Sequence, residues 1–272
     1  MTARVLPVAV AAILAFATRG AASFDHEYRD YAKLLHDHVR ASRVGYEALK
    51  RNRAALDLVF AELTEPSANE ERGWTRDRRL AFWINAYNIF TLRAIVDHYP
   101  IRSTLFTLQP RNSIRQIDGV WTALTWQAAG RTLTLDDIEH KILRPEFKEP
   151  RVHFAINCAS VGCPPLAADP YRPATLDTQL DEAAHRYLAS ERGLKVDGNT
   201  LRVTKILEWY GEDFVARFAP DAAGAADRVD RAIRGVVGQF GPPAAADLAR
   251  KSTTKIRFLD YDWSLNDTAA DR

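Results

Sequence analysis

The stretch "LAFWINAYNIFTLRAIVDHYP", Leu80 to Pro100, is apolar almost all the way round at helical spacing until a proline stops it. A helix without a polar face has to be surrounded, so the rest of the chain must be built around this one. Its two amides, Asn85 and Asn88, stand nearly one turn apart on the same face. A buried amide is costly without partners, so the spacing predicts that both satisfy loop backbone inside the core. A functional site lined by Asn85 is the alternative.

The flanks of this helix read as a mixed fold. From Phe24 to about Thr64 apolar residues recur at helical spacing (Tyr31, Leu34, Leu35, Val39, then Tyr46, Leu49, Leu56, Phe60), which predicts an antiparallel helical start. Short strands turning at "AAGR" precede a helix opened by Thr134, with Asp137 three residues on in a capping-box pattern. On that helix Glu139 falls among Leu135, Ile138, Ile142 and Leu143, and His140 turns about 100° away towards the polar side. Further on, "ATLDTQLDEAAHRYLASERG" is amphipathic, and "LKVDGNTLRV" is a hairpin with an Asp197-Gly198 turn. Helices are expected around "KILEWYGEDF" and "AADRVDRAIRGVVGQF", before a closing "IRFLDYDWSLN". No repeat or long linker interrupts residues 24–272, so the expected architecture is one compact α/β (α+β) domain, mostly helical around a small sheet.

Both cysteines lie in "RVHFAINCASVGCPPL", Arg151 to Leu166. Val152, Phe154 and Ile156 alternate with His153, Ala155 and Asn157, a strand pattern that puts His153 and Asn157 on one face and ends at Cys158. Gly162, Pro164 and Pro165 then make "ASVGCPP" a loop.

Three chemistries compete for this loop. In the first, Cys158 is a nucleophile, His153 its base, Glu139 the acid that orients the base, and loop N–H groups hold an oxyanion. A straight strand would point His153 and Cys158 to opposite faces, so this reading requires a turn at Asn157 or Cys158. In the second, Cys158 and Cys163 form a disulfide, structural or redox-active, and Glu139 pairs with an arginine such as Arg151. In the third, His140, His153, Cys158 and Cys163 bind a metal. C-x₄-C only just meets the usual ligand spacing, and the histidines are thirteen residues apart, so no metal site is assigned. Of the other histidines, His36 and His38 are expected on the surface, and His185 is expected to pair with Asp181 one turn earlier. The sequence has no Gly-rich phosphate loop, G-x-S-x-G elbow or H-E-x-x-H, and no cofactor is assigned.

The N-terminus reads as a secretory signal. Arg4 precedes the uncharged "VLPVAVAAILAFA", and small residues follow, with cleavage expected after Ala22 or Ser23. The uncharged run is shorter than the roughly 18 residues of a membrane span, so an exported chain, periplasmic or extracellular and without a stable span, is expected. Loss of residues 1–23 removes Arg4 and Arg19, bringing 37 basic residues to 35 against 35 acidic ones. A neutral chain without a basic cluster has no electrostatic footprint for nucleic acid, and the expected partner is a small molecule or a peptide.

The blocks "LAFWINAYNIFTL", "LDDIEHKILRPEF", "RVHFAINCASVGCPPL", "ILEWYGEDF" and "IRFLDYDWSLN" resemble, in order, those of the family called domain of unknown function 547, over about Leu80 to Asn266. They include Asn85, Glu139, His140, His153, Cys158 and Cys163. The resemblance implies relatives in exported bacterial proteins and in plant and animal chains, some beside glutaredoxin-like domains. Relatives in a reducing cytosol would gain nothing from a structural bridge, which favours thiol chemistry. The cysteine, histidine and acid set, rather than the resemblance, suggests a papain-like or transglutaminase-like thiol enzyme, a hydrolase or acyl transferase acting on an amide, peptide or γ-glutamyl compound. A non-catalytic binding module and a thiol-redox protein are the alternatives.

Overall fold

Three short helices open the described residues: α1 (Arg29–His38), α2 (Tyr46–Arg51) and α3 (Arg53–Glu62), with a hairpin of two-residue strands, β1 (Val39–Arg40) and β2 (Arg43–Val44), between the first two. The computed structural model describes residues 24–102, 110 and 112–271, so the expected signal segment at 1–23 lies outside the described residues. A fourth helix, α4 (Ala68–Gly73), occupies the polar stretch before the apolar run, where Ser67 Oγ caps it by accepting the Glu70 N–H at 3.2 Å. Its Glu71 is buried, because the carboxylate accepts from Trp83, Arg79 and Arg131 at 2.8, 2.8 and 3.2 Å.

The apolar run forms α5 (Arg76–His98), capped by Thr75 and buried without a break from Leu80 to Leu92. α2 and α3 pack against it, and so does a π-helical segment, Asp137–Phe147. Both amides meet the expectation for structural roles. Asn85 donates to the Tyr171 carbonyl at 2.8 Å and accepts the Tyr171 N–H at 3.0 Å. Asn88 donates to the Ala155 carbonyl at 3.1 Å and accepts the Asn157 N–H at 2.8 Å. The expected capping box is also present: Asp137 N–H donates to Thr134 Oγ1 at 3.0 Å, and Thr134 N–H to Asp137 Oδ2 at 2.9 Å. It follows the hairpin of β3 (Trp126–Ala128) and β4 (Arg131–Leu133), whose turn residues Ala129 and Gly130 both have left-handed φ, 46° and 64°.

The second half packs α6 (Leu176–Leu188), α7 (Lys205–Trp209), α8 (Gly211–Phe218), α9 (Arg228–Phe240) and α10 (Pro243–Ala249) around a three-stranded sheet. In it β5 (Leu194–Asp197) pairs antiparallel with β6 (Thr200–Val203), and β6 parallel with β7 (Lys255–Phe258). Asp197 pairs with Thr200, so the turn is Gly198-Asn199, one residue later than read from the sequence. The whole is a mostly helical α+β domain with small sheets, and its buried side chains form two clusters that meet along Val152–Ala155 and α6. Among the described residues no helix is long and apolar enough to cross a membrane.

The segment before the cysteines departs from its expected strand. Pro150–Phe154 is a 3₁₀ turn, with Val152 N–H donating to the Glu149 carbonyl at 3.1 Å and Ala155 N–H to the Val152 carbonyl at 2.9 Å. Residues 149–157 are all buried, so their alternation marks two covered sides of a turn and not the two faces of a strand. Arg151 anchors the turn by bonding Glu149, Asp177 and Asp181, so it is not the partner of Glu139. With Asp181 so engaged, His185 bonds the Phe240 carbonyl at 3.0 Å. His38 is buried and His36 is exposed beside Asp169.

Candidate active site

Cys158 sits on a bend that its neighbours hold in place. Ala159 takes a left-handed φ of 57°, which costs a non-glycine residue about 1–2 kcal/mol and persists only where the surroundings impose it. Asn157 does so: its Oδ1 accepts the Ala159 N–H at 2.9 Å, and its amide donates to the Pro164 carbonyl at 2.7 Å. The C-terminal segment runs alongside, with Val161 N–H donating to the Ser264 carbonyl at 2.7 Å and Gly162 N–H to the Asp262 carbonyl at 2.8 Å. A Cβ at Gly162 would stand 2.9 Å from the Asp262 nitrogen, so only glycine lets the segment approach closely enough to bring Tyr261 to the cysteine.

Both cysteines are free thiols, half-buried Cys158 and buried Cys163. Cys158 N–H donates to Cys163 Sγ at 3.0 Å. Cys158 Sγ lies 3.1 Å from the Tyr261 hydroxyl and 3.2 Å from the Ser160 hydroxyl, and Ser160 donates to Tyr261 at 3.0 Å. Hydrogen bonding from Cys163, then from Ser160 and Tyr261, outweighs burial and lowers the Cys158 thiol to about 7. Burial and the neighbouring sulfur push Cys163 the opposite way, well above the ordinary thiol range. Burial likewise raises Tyr261, which therefore stays a phenol able to donate.

These two residues line a cavity of about 420 Å³ together with Tyr87, Glu139, His140, His153 and an aromatic wall. His153 stacks on Tyr210, ring centroids 4.0 Å apart, and its Nε2 is 2.8 Å from Asp213 Oδ2. Burial works against ionisation of Asp213, but His153 and a two-pronged pairing with Arg144, at 2.6 and 3.0 Å, hold its carboxyl well below the usual range. Asp213 therefore occupies the place that the sequence reading gave to Glu139. Glu139 is buried, as its helical position predicted, but it accepts from Tyr87 at 3.3 Å and also pairs with Tyr210. His140 is exposed at the rim, where its Nδ1 accepts from Arg144 at 2.9 Å.

The cavity thus gathers Cys158, Cys163, His153, Glu139 and His140, whereas Asn85 lies in the core away from it. No hydrogen bond joins His153 to Cys158, and the thiolate owes its stability to Cys163, Ser160 and Tyr261. The loop amides expected to form an oxyanion hole are committed: Cys158 N–H to Cys163, Ala159 N–H to Asn157, and Ser160 N–H to the Cys158 sulfur. Asp213, Ser160 and Tyr261 were missed by the sequence reading. Among the described residues no group of three or more histidine, cysteine or acidic side chains is arranged to hold a metal ion.

No curated protein and no solved structure matches the chain. A family model described as "Protein of unknown function, DUF547" matches residues 71–188, a span that holds Glu139, His153 and both cysteines and stops short of Asp213 and Tyr261. That match supports a DUF547 assignment for the part of the chain it covers, residues 71–188.

Proposed function

We propose that this chain is a thiol-dependent enzyme, a hydrolase or acyl transferase acting on an amide or related acyl compound, with Cys158 as nucleophile. The observation that carries the reading is a half-buried thiol lowered to about 7, opening onto a cavity that also holds an acid-supported histidine. The thiolate adds to the substrate carbonyl, and a C–S bond forms as the C–N bond breaks. His153, kept in place by Asp213 and by stacking on Tyr210, serves as the general acid that gives a proton to the leaving amine across the cavity. Water, or an acceptor amine or hydroxyl in a transferase, then attacks the thioester. It returns its proton to His153, and the thiolate leaves. An exported location, expected from residues 1–23, belongs to the same proposal.

The test is a panel of amino-acid p-nitroanilides and p-nitrophenyl esters followed by intact-mass detection of an acyl adduct. The proposal expects an adduct on Cys158 and none in Cys158→Ser. Full turnover in Cys158→Ser would refute the assignment.

The contact between the two sulfurs favours a second reading, a dithiol redox protein. There the Cys158 thiolate attacks a substrate disulfide, and Cys163 resolves the mixed disulfide, so that the substrate leaves as two thiols and a Cys158–Cys163 bridge remains. Cys163→Ala separates the two readings: it abolishes disulfide reduction and leaves a route for acyl transfer.

A further inference from the structure

The outer wall of the cavity is aromatic and carries a cation, Arg115, that no acidic side chain among the described residues neutralises. Arg115 follows Ser113, whose hydroxyl accepts its backbone N–H at 3.2 Å, and its guanidinium lies 4.8 Å from the centre of the Trp263 ring. The side chain is exposed, and among the described residues it forms no ion pair and no side-chain hydrogen bond. Arg144, also beside the cavity, is by contrast fully engaged with Asp213 and His140. Trp263 is itself held, stacked on Trp209 at 5.9 Å and 4.5 Å from Tyr261. Arg115 is therefore seated on a fixed ring, with its side-chain donors unused among the described residues.

We propose that the substrate of Cys158 is an acyl compound bearing a free carboxylate, that Arg115 binds this carboxylate, and that Trp209 and Trp263 cover the chain between the carboxylate and the reacting carbonyl. The proposal rests on the thiol-enzyme reading. A guanidinium with free donors matches a carboxylate in charge and in its paired oxygens. A phosphate dianion is disfavoured, because Asp136 and Glu139 line the same cavity and Arg115 is a single positive charge. Trp209, 46% exposed, is among the most exposed large apolar side chains and stands on this rim, where a bound chain would cover it.

The experiment uses the full chain and a ladder of alkylating reagents: N-iodoacetyl glycine, β-alanine and γ-aminobutyrate, each with its primary amide. In every case the thiolate forms the C–S bond as the C–I bond breaks and iodide leaves, so acid and amide differ only in the distal charge. Rates at Cys158 are compared with those of N-acetylcysteine amide. At least one acid should outpace its amide by about tenfold relative to that reference, an amount well within a charge-assisted arginine contact. Arg115→Gln should return the ratio to the reference, and Arg115→Lys should keep part of it. A flat ratio at every length, or a preference that survives Arg115→Gln, would overturn the proposal. If Cys158 reacts with all six reagents no faster than the reference thiol at pH 7, the thiol-enzyme reading itself fails and takes this proposal with it. Fast alkylation with a flat ratio removes the carboxylate proposal alone.

Discussion

Replacing Tyr261 by Phe removes one donor from the Cys158 sulfur and leaves the aromatic packing against Trp209 and Trp263, at 4.9 and 4.5 Å, in place. A hydrogen bond to a charged group contributes about 1.5–3 kcal/mol. Part of that is recovered, because Ser160, which donates to Tyr261, is 3.2 Å from the sulfur and becomes free to turn towards it. At the stronger end of that range, recovery of about half leaves a loss of roughly 1.4 kcal/mol, or about one pKa unit. The Cys158 titration should therefore move from about 7 to about 8. At pH 7 the thiolate fraction then falls from about one half to about one tenth, and alkylation by iodoacetamide slows about fivefold. The assay is site-resolved mass spectrometry of alkylation across pH. A midpoint within about 0.3 unit of the unmodified chain would refute the argument that hydroxyl donors poise this thiol.

Cys163→Ala should raise the Cys158 midpoint further than Tyr261→Phe does, since Cys163 is the largest stabiliser of the thiolate; a smaller rise by the same alkylation assay would reverse that order. Asn88→Ala strands the Ala155 carbonyl and the Asn157 N–H in the core and should cost about 2–4 kcal/mol in urea unfolding, with a loss under about 0.5 kcal/mol counting against its role. Arg151→Leu leaves buried Glu149 with Arg217 as its one paired cation, beside the backbone N–H of residue 151, and should cost about 3 kcal/mol at pH 7. Burial works against the Glu149 charge, but Arg151 and then Arg217 prevail and lower its pKa. Its stabilising effect is thus full above the unfolded carboxylate value and is lost as pH falls through the lower folded one; that acid-side step should shrink in Arg151→Leu, as read by unfolding at a series of pH values.

What the sequence made legible was local. The all-round apolar run predicted a central helix, and one-turn spacing predicted that Asn85 and Asn88 would serve backbone, because both depend on neighbours a few residues away. The Thr134–Asp137 box and the inward Glu139 follow from the same short-range geometry. The strand at Val152–Asn157 was misread because alternation carries face information only when one face is open, and here both sides are covered. Asp213 stands sixty residues from His153 at the start of α8, where an acid also suits a helix N-terminus and nothing local marks it as a histidine's partner. Ser160 and Tyr261 meet Cys158 only because the C-terminal segment pairs beside the cysteine loop, a long-range contact without a periodic signature.

The most direct test of the account is the alkylation of the two cysteines across pH, on protein produced in an exporting host and purified without reductant. Two free thiols are predicted, with Cys158 titrating at about 7 and Cys163 unreactive until well above the ordinary thiol range. A Cys158 midpoint at the usual value of about 8.5, or a complete Cys158–Cys163 bridge that leaves no free thiol, would contradict it.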